Sequence, residues 1–161
     1  MNHDRQFEEK RFVEEVGIVF EQTGLPKMAG RILGQLLVAD PPYQSIGELA
    51  KELMASKGSI SAMNRLLIGH GLVERFSLPG IRHDYFRIRP DACHHMIRRG
   101  LEDEVKMIRQ LAERGLELLA DKVPPTRKWL EDMLDVYVFL EKELPALVER
   151  WEQEHNKAKV R

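Results

Sequence analysis

Cysteine is almost missing from this chain of 161 residues: Cys93 stands alone, so no internal disulfide can form. Long apolar runs are missing as well. None approaches the ~20 residues that span a bilayer, and Met1-Asn2-His3-Asp4-Arg5 leads into a charged helix rather than an apolar signal region. These absences argue against a membrane protein and against a disulfide-built secreted module, so the expected location is cytoplasmic. A P-loop and a dinucleotide fingerprint are absent, and no convincing nucleophile, base and orienting acid stand together. The expectation is a non-enzyme with no cofactor. Internal repeats and low-complexity stretches are lacking too. Net charge is close to zero, with 25 basic against 26 acidic residues, which speaks neither for nor against a polyanionic partner.

What is present is enough apolar material for one core and an excess of charge. The residues are 43% hydrophobic and 32% charged, against the roughly 25% charged of ordinary globular chains, and the excess suits long, partly exposed helices. Charge is unevenly placed. Between Ser56 and Pro90 stand Lys57, Arg65, Arg75, Arg82, Arg87 and Arg89 against Glu74 and Asp84, a net +4, and the remainder carries −5.

Apolar spacing organises the chain into helices around a short β segment. Phe12, Val16 and Val19 predict a helix over Asp4 to Thr23 that ends at Gly24. Met28, Ile32 and Leu36 predict a second, to about Ala39, with Gly30 and Gly34 on one face where another helix can approach closely. Asp40-Pro41-Pro42 stops it, and Tyr43-Gln44 suits a short strand. Ser45-Ile46-Gly47-Glu48 has the form of a capping box opening a short helix. After a turn at Met54-Ala55-Ser56, with Ser56 or Ser59 as cap, Ile60, Met63 and Leu67 share one face of the next helix. Gly69 or Gly71 ends it. Leu72 to Phe76 and His83 to Arg89 read as two strands joined by a turn at Leu78-Pro79-Gly80-Ile81-Arg82.

Beyond this, Pro90 suits the first position of a long helix running to about Lys122 on the stripe Ile97, Leu101, Val105, Ile108, Leu111 and Leu118. Pro124-Pro125 break it. A last helix begins near Thr126, with Pro145 as a site for a kink and Glu152 to Arg161 as a polar tail.

Helix, tight turn, helix and β-hairpin with a basic tip, in that order, form a winged helix-turn-helix. The expected fold class is mainly α (α+β), a winged helix-turn-helix with a two-stranded wing flanked by N- and C-terminal dimerisation helices. Residues 1–40 would support the dimer and begin the core, 41–90 would form the DNA-binding core, and 91–161 the dimerisation region. In such a fold the second helix lies in the major groove and the hairpin reaches the backbone or the minor groove. With Ile60, Met63 and Leu67 turned inward, Lys57, Ser59, Ser61, Ala62 and Arg65 face outward. Hydroxyls and backbone N–H groups bind phosphate, arginine pairs with guanine and alanine touches a thymine methyl. Arg82 at the wing tip and Arg87 on the returning strand complete the expected DNA-contacting set. Arg87 and Arg89 also fit the wet face of a strand, since they alternate with Phe86 and Ile88.

Ser56-Lys57-Gly58-Ser59-Ile60-Ser61, Arg65-Leu66-Leu67, Gly71-Leu72-Val73-Glu74-Arg75 and Pro79-Gly80-Ile81-Arg82 through Tyr85-Phe86 resemble the GbsR-like branch of the MarR superfamily. Gly24-Leu25-Pro26 and Ala29-Gly30-Arg31-Ile32-Leu33-Gly34 fit the same branch. The resemblance covers about Phe12 to Arg89. It implies a homodimeric transcription factor, usually a repressor, that binds double-stranded DNA at a palindromic operator. By position it carries Lys57, Ser59, Ser61 and Arg65 over as recognition-helix contacts and Arg82 as the wing-tip arginine. Asn64 departs from the pattern, because related helices often have an apolar residue there; it either reads a base or hydrogen-bonds locally.

Other constellations carry less. Cys93, His94 and His95, with His70 and His83, contain zinc-ligand types, but adjacent helical histidines point about 100° apart, so no metal is expected. A redox role for Cys93 would need a lowered thiol pKa. Trp129, Tyr137 and Trp151 suit either a dimer core or a pocket for an unidentified small-molecule effector. The rival to DNA binding is a winged-helix protein interaction module, since the chain as a whole is not basic.

Overall fold

A computed structural model describes residues 2–159. Its elements are α1 (Asn2–Gln22), α2 (Lys27–Val38), β1 (Gln44–Ser45), α3 (Ile46–Glu52), α4 (Lys57–Gly69), β2 (Val73–Ser77), β3 (Asp84–Ile88), α5 (Ala92–His95), a π-helical segment (Met96–Glu102), α6 (Asp103–Leu118) and α7 (Pro124–Lys159). The chain divides into two units, Met1–Cys93 and His94–Arg161.

In the first unit α1 and α2 run antiparallel, reversed at Gly24, whose φ of +88° a side-chain-bearing residue would resist. The two helices touch at backbone level. A Cβ added to Gly30 would stand 2.8 Å from the Gly17 Cα and 2.8 Å from the Val16 carbonyl oxygen. One added to Gly34 would stand 3.0 Å from the Val13 Cα. Glu14 on α1 receives Arg31 at 2.6 Å and Lys27 at 3.4 Å across the same contact.

The opposite side of α2 supplies Ile32 and Leu36 to a core shared with Leu49 and Leu53 near α3, Ile60 and Leu67 of α4, and Val73 and Phe86 of the sheet. Each such side chain contributes about 1.5 to 3 kcal/mol on burial. The sheet has three antiparallel strands in the order β1-β3-β2, with Val73 opposite Ile88 and Ser77 opposite Asp84. Its hairpin turns at Leu78-Pro79-Gly80-Ile81, where the Ile81 N–H donates to the Leu78 carbonyl at 3.1 Å and Gly80 has φ +79°. Proline followed by a left-handed glycine is the signature of a type II turn.

The capping box at the head of α3 is complete. The Glu48 N–H donates to Ser45 Oγ at 3.2 Å, and the Ser45 N–H donates to Glu48 Oε2 at 2.7 Å. The Ser45 N–H, and then its hydroxyl, hold the Glu48 carboxyl below its ordinary value near 4.5. Met54, between α3 and α4, has φ +50° and is 90% exposed.

In the second unit α6 and α7 form an antiparallel hairpin, with Gly115 against Leu130, Arg109 paired to Glu141, and Arg98 paired to Glu152 at 3.1 Å. Val105, Ala112 and Val148 are buried, while Leu111, Leu118, Trp129 and Phe139 lie open, between 61% and 73% exposed.

Three sequence expectations are corrected. Pro90 does not open a helix but sits in the turn before Ala92, whose N–H donates to the Arg89 carbonyl at 3.1 Å. The long helix ends at Leu118 rather than about Lys122 and passes through a π-helical segment at Met96–Glu102; hydrogen bonds there reach five residues back, a register that side-chain periodicity alone does not reveal. Glu152 to Lys159 continues α7 instead of forming a tail, and Pro145 lies inside that helix; its polar residues keep helical spacing. Val160 and Arg161 lie outside the described residues.

Gly30→Ala is expected to cost about 1 to 3 kcal/mol in chemical denaturation, because backbone rather than a flexible side chain blocks the new methyl. Met54→Gly is expected to gain about 0.5 to 1 kcal/mol by relieving a left-handed residue that buries little. Ser45→Ala is expected to cost about 1 kcal/mol at neutral pH. Because folding lowers the Glu48 pKa, its contribution is complete above the unfolded value and fades as pH falls through the folded one, so the Ser45→Ala penalty shrinks in acid.

Candidate nucleic-acid interface

The N-terminus of α4 is built to meet an anion. Ser56 caps it, its Oγ accepting from the Ser59 N–H at 3.1 Å. No acidic residue stands in the first turn of α4, whereas Glu48 stands in the first turn of α3. The positive end of the α4 dipole and its free amides therefore remain available. Lys57 adds a side-chain cation at the same point.

Ile60, Asn64 and Leu67 are buried on α4. Lys57, Ser61, Arg65 and Ile68 follow one another at three- and four-residue intervals along one wall of an open groove of about 1260 Å³, with Asn64 in the same wall. The head of α3 and the wing close the other sides, the wing contributing Arg75, His83 and Arg89. Of the residues expected at DNA, Lys57, Ser61 and Arg65 are thus brought together on the groove. Ser59 and Ala62 lie outside its lining and are half-buried. Arg82 is exposed just after the wing turn.

Arg87 is placed differently. Strand register pairs it with Glu74, on the sheet face opposite Phe86. Its Nε donates to Glu74 Oε1 at 2.6 Å and its guanidinium lies 4.7 Å from the Phe76 ring centroid. That face also carries Tyr43 and Tyr85, packed edge-on at 5.1 Å between centroids.

Cations differ in how far they are committed. Arg89 makes two hydrogen bonds to Asp91, at 2.8 and 2.7 Å, and Arg75 lies 3.5 Å from Asp84. The hydrogen bonds that Arg89 donates to the Asp91 carboxylate raise its pKa further. Among the described residues Lys57, Arg65 and Arg82 enter no ion pair, leaving their charges available to an outside anion.

Asn64 takes neither role that its sequence position suggested. It is 1% exposed, too buried to read a base, and neither its Nδ2 nor its Oδ1 has a hydrogen-bond partner. Sequence reasoning also passed over Arg75 and His83 as groove residues; alternation along the paired strands was the signal, since Arg75 lies directly opposite Phe86.

The remaining candidates disperse. His70 caps the C-terminus of α4, the His83 ring lies 4.9 Å from Tyr85, and His94 Nε2 lies 2.9 Å from Glu152 Oε1. Among the described residues no three His, Cys, Asp or Glu side chains gather as a metal site. Cys93 is exposed. Trp129 and Tyr137 line a shallow apolar hollow of about 640 Å³ with Leu111 and Val136, whereas Trp151 stacks on His155 at 5.1 Å. No helix among the described residues is long and apolar enough to cross a membrane.

Comparison with known proteins agrees with this architecture. The family model of MmpR5-like MarR family transcriptional regulators matches residues 91–154. The HTH-type transcriptional regulator MmpR5 of Mycobacterium tuberculosis (strain ATCC 25618 / H37Rv) is 39% identical over 142 residues, which are 88% of this chain and 86% of that protein. A crystal structure described as that of a transcriptional regulator is 38% identical and matches with a TM-score of 0.76 over 91% of this chain and 99% of the other. Similarity of this extent, on a winged helix whose α4 presents unpaired cations, makes the chain a member of the MarR family of DNA-binding, winged-helix transcriptional regulators, in its MmpR5-like group.

Proposed function

We propose that the protein is a repressor that binds a palindromic operator as a homodimer, with α4 in the major groove and the wing tip on the flanking backbone. The observation that carries this reading is the α4 stripe of Lys57, Ser61 and Arg65, whose two cations are unpaired among the described residues and stand beside an N-terminus free of acidic residues. Ser59 contributes through its position at the capped first turn and Ala62 through apolar contact. Arg82 supplies a phosphate or minor-groove contact. Arg87 joins only by giving up Glu74, so its contribution is the smallest of the set. The likeness of residues 12–89 to the GbsR-like branch supports the same use of the winged core.

Dimerisation follows from the uncovered apolar surface of the second unit. Residues 91–161 serve as the dimerisation region, and the face bearing Leu111, Trp129 and Val136 is too apolar to be left in water. A two-fold partner covers it and matches a palindrome, with half-sites about 34 to 36 Å apart. The location is cytoplasmic, where chromosomal DNA of a bacterial-type regulator lies.

On DNA selected from a random pool, Arg65→Ala is expected to weaken binding by about 1 to 3 kcal/mol, and Arg82→Ala to weaken selected and random sequences alike. Affinity should fall steeply with salt as counterions are released. Retention unchanged by salt and by both substitutions would instead identify a protein interaction module. Trp129→Glu is expected to shift the protein from dimer to monomer in sedimentation equilibrium; an unchanged dimer would place the interface elsewhere. In a promoter fusion, deletion of the gene should raise expression from the bound promoter, and a fall would make the protein an activator.

A further inference from the structure

The turn between α3 and α4 closes α3 with a Schellman motif. The Ala55 N–H donates to the Ala50 carbonyl at 3.0 Å and the Met54 N–H to the Lys51 carbonyl at 3.3 Å, the two bonds that satisfy a helix's last carbonyls. Such a motif needs a left-handed residue just past the cap. Here the cap is Leu53 and the left-handed residue is Met54, at φ +50°. Glycine takes this conformation freely, whereas a side chain brings its Cβ against the following carbonyl oxygen. Elsewhere among the described residues, positive φ falls on Gly24, Gly71 and Gly80. Met54 alone holds such a position without being glycine.

The molecule does not recover that cost by packing. Leu53 and Ala55, on either side, both join the core, and Met54 between them does not. It is 90% exposed, more than any other large apolar residue described; Ile68 and Ile81, the other open apolar residues between 41 and 90, are each 39% exposed. Backbone strain with no return inside the chain points to a contact outside it. Two residues further on stands Ser56, the cap of α4, followed by Lys57, the first cation of the α4 stripe. Two peptide units hold the Met54 Cα within about 7.6 Å of the Ser56 Cα. The surface within its reach is the one that the first turn of α4 meets.

We propose that Met54 is a further DNA-contacting residue, whose thioether arm packs against the 5-methyl group of a thymine in the half-site that α4 enters. The inference rests on the reading of α4 as the helix in the major groove. A thioether gains nothing from a phosphate, and the thymine methyl is the apolar group that the major groove displays. Methionine suits the contact because it is unbranched, polarizable and free to turn about three bonds. Its contribution is sequence preference, whereas Lys57 and Arg82 contribute charge.

The probe is a duplex selected from a random pool, in which each thymine of a half-site is replaced in turn by deoxyuridine, a change that removes only the methyl. For the full-length wild-type protein, replacement at one thymine is expected to weaken binding about four-fold, the worth of one buried methyl group. Met54→Gly is expected to bind the parent duplex at least about four-fold more weakly and to respond equally to thymine and uracil at that position, although it folds more stably than the wild type. Met54→Asn, whose short side chain also tolerates left-handed backbone, should behave as Met54→Gly does, which separates the lost arm from added flexibility. Met54→Leu should restore both the affinity and the response to the methyl. Met54→Gly binding as tightly as the wild type, or losing as much as the wild type at every replaced thymine, would overturn the role of Met54. In that result the salt dependence and the Arg65→Ala loss persist, so the reading of α4 stands. A wild-type protein that binds no duplex at any salt concentration would overturn both.

Discussion

Everything in the first unit depends on how α4 is seated. Ile60 and Leu67, both fully buried, lock one side of the helix against α2, α3 and the sheet, and helical geometry then dictates where the rest points. With the inner face committed, Lys57, Ser61 and Arg65 must fall on the groove side, and Ser56 must stand where it can cap the first turn. Electrostatic readiness follows from packing. Apart from the Ser59 N–H, which Ser56 caps, the N-terminal amides and Lys57 have no acidic residue in the first turn to compete for them, and Arg65 is free because no acid lies on the neighbouring turns of its own helix.

The seat itself is held from behind. α2 can press Ile32 and Leu36 into the core of α4 because its other face meets α1 through glycine, backbone against backbone. A methyl group at that crossing would push α2 away, and the shift would be felt at α4, since close-packed interiors transmit displacement rather than absorb it. The wing is positioned by Val73 and Phe86 in the same core, and its outward basic residue, Arg82, is carried past a turn whose proline and left-handed glycine fix its shape. One packing unit thus aligns α4 and the wing.

Local signals were the legible ones. Ser45 and Glu48 are three residues apart and make their capping box from groups within one turn; Gly24 and Gly80 mark left-handed backbone; Ser56 precedes a helix it caps. The close approach at Gly30 was also readable, because two glycines on one face leave no other purpose for the missing side chains. What escaped depended on partners distant in sequence. Glu74 neutralises Arg87 only because strand register sets them opposite each other across 13 residues. The burial of Asn64 fits its spacing, four residues after Ile60 and three before Leu67, but residue type argued against it. The π-helical segment conserves apolar content while changing hydrogen-bond register, so spacing could not show it. The superfamily was readable from the winged core, whereas the family model lies over residues 91–154, where the sequence offered only long amphipathic helices.

We propose that DNA is met by the first turns of α4 and by the wing tip together. Hydrogen exchange of backbone amides, with and without a DNA duplex selected from a random pool, tests it most directly. Protection is predicted at residues 57–65 and 79–82, with no comparable change over 124–159. Protection confined to the second unit, or a free wing beside a protected α4, would contradict it.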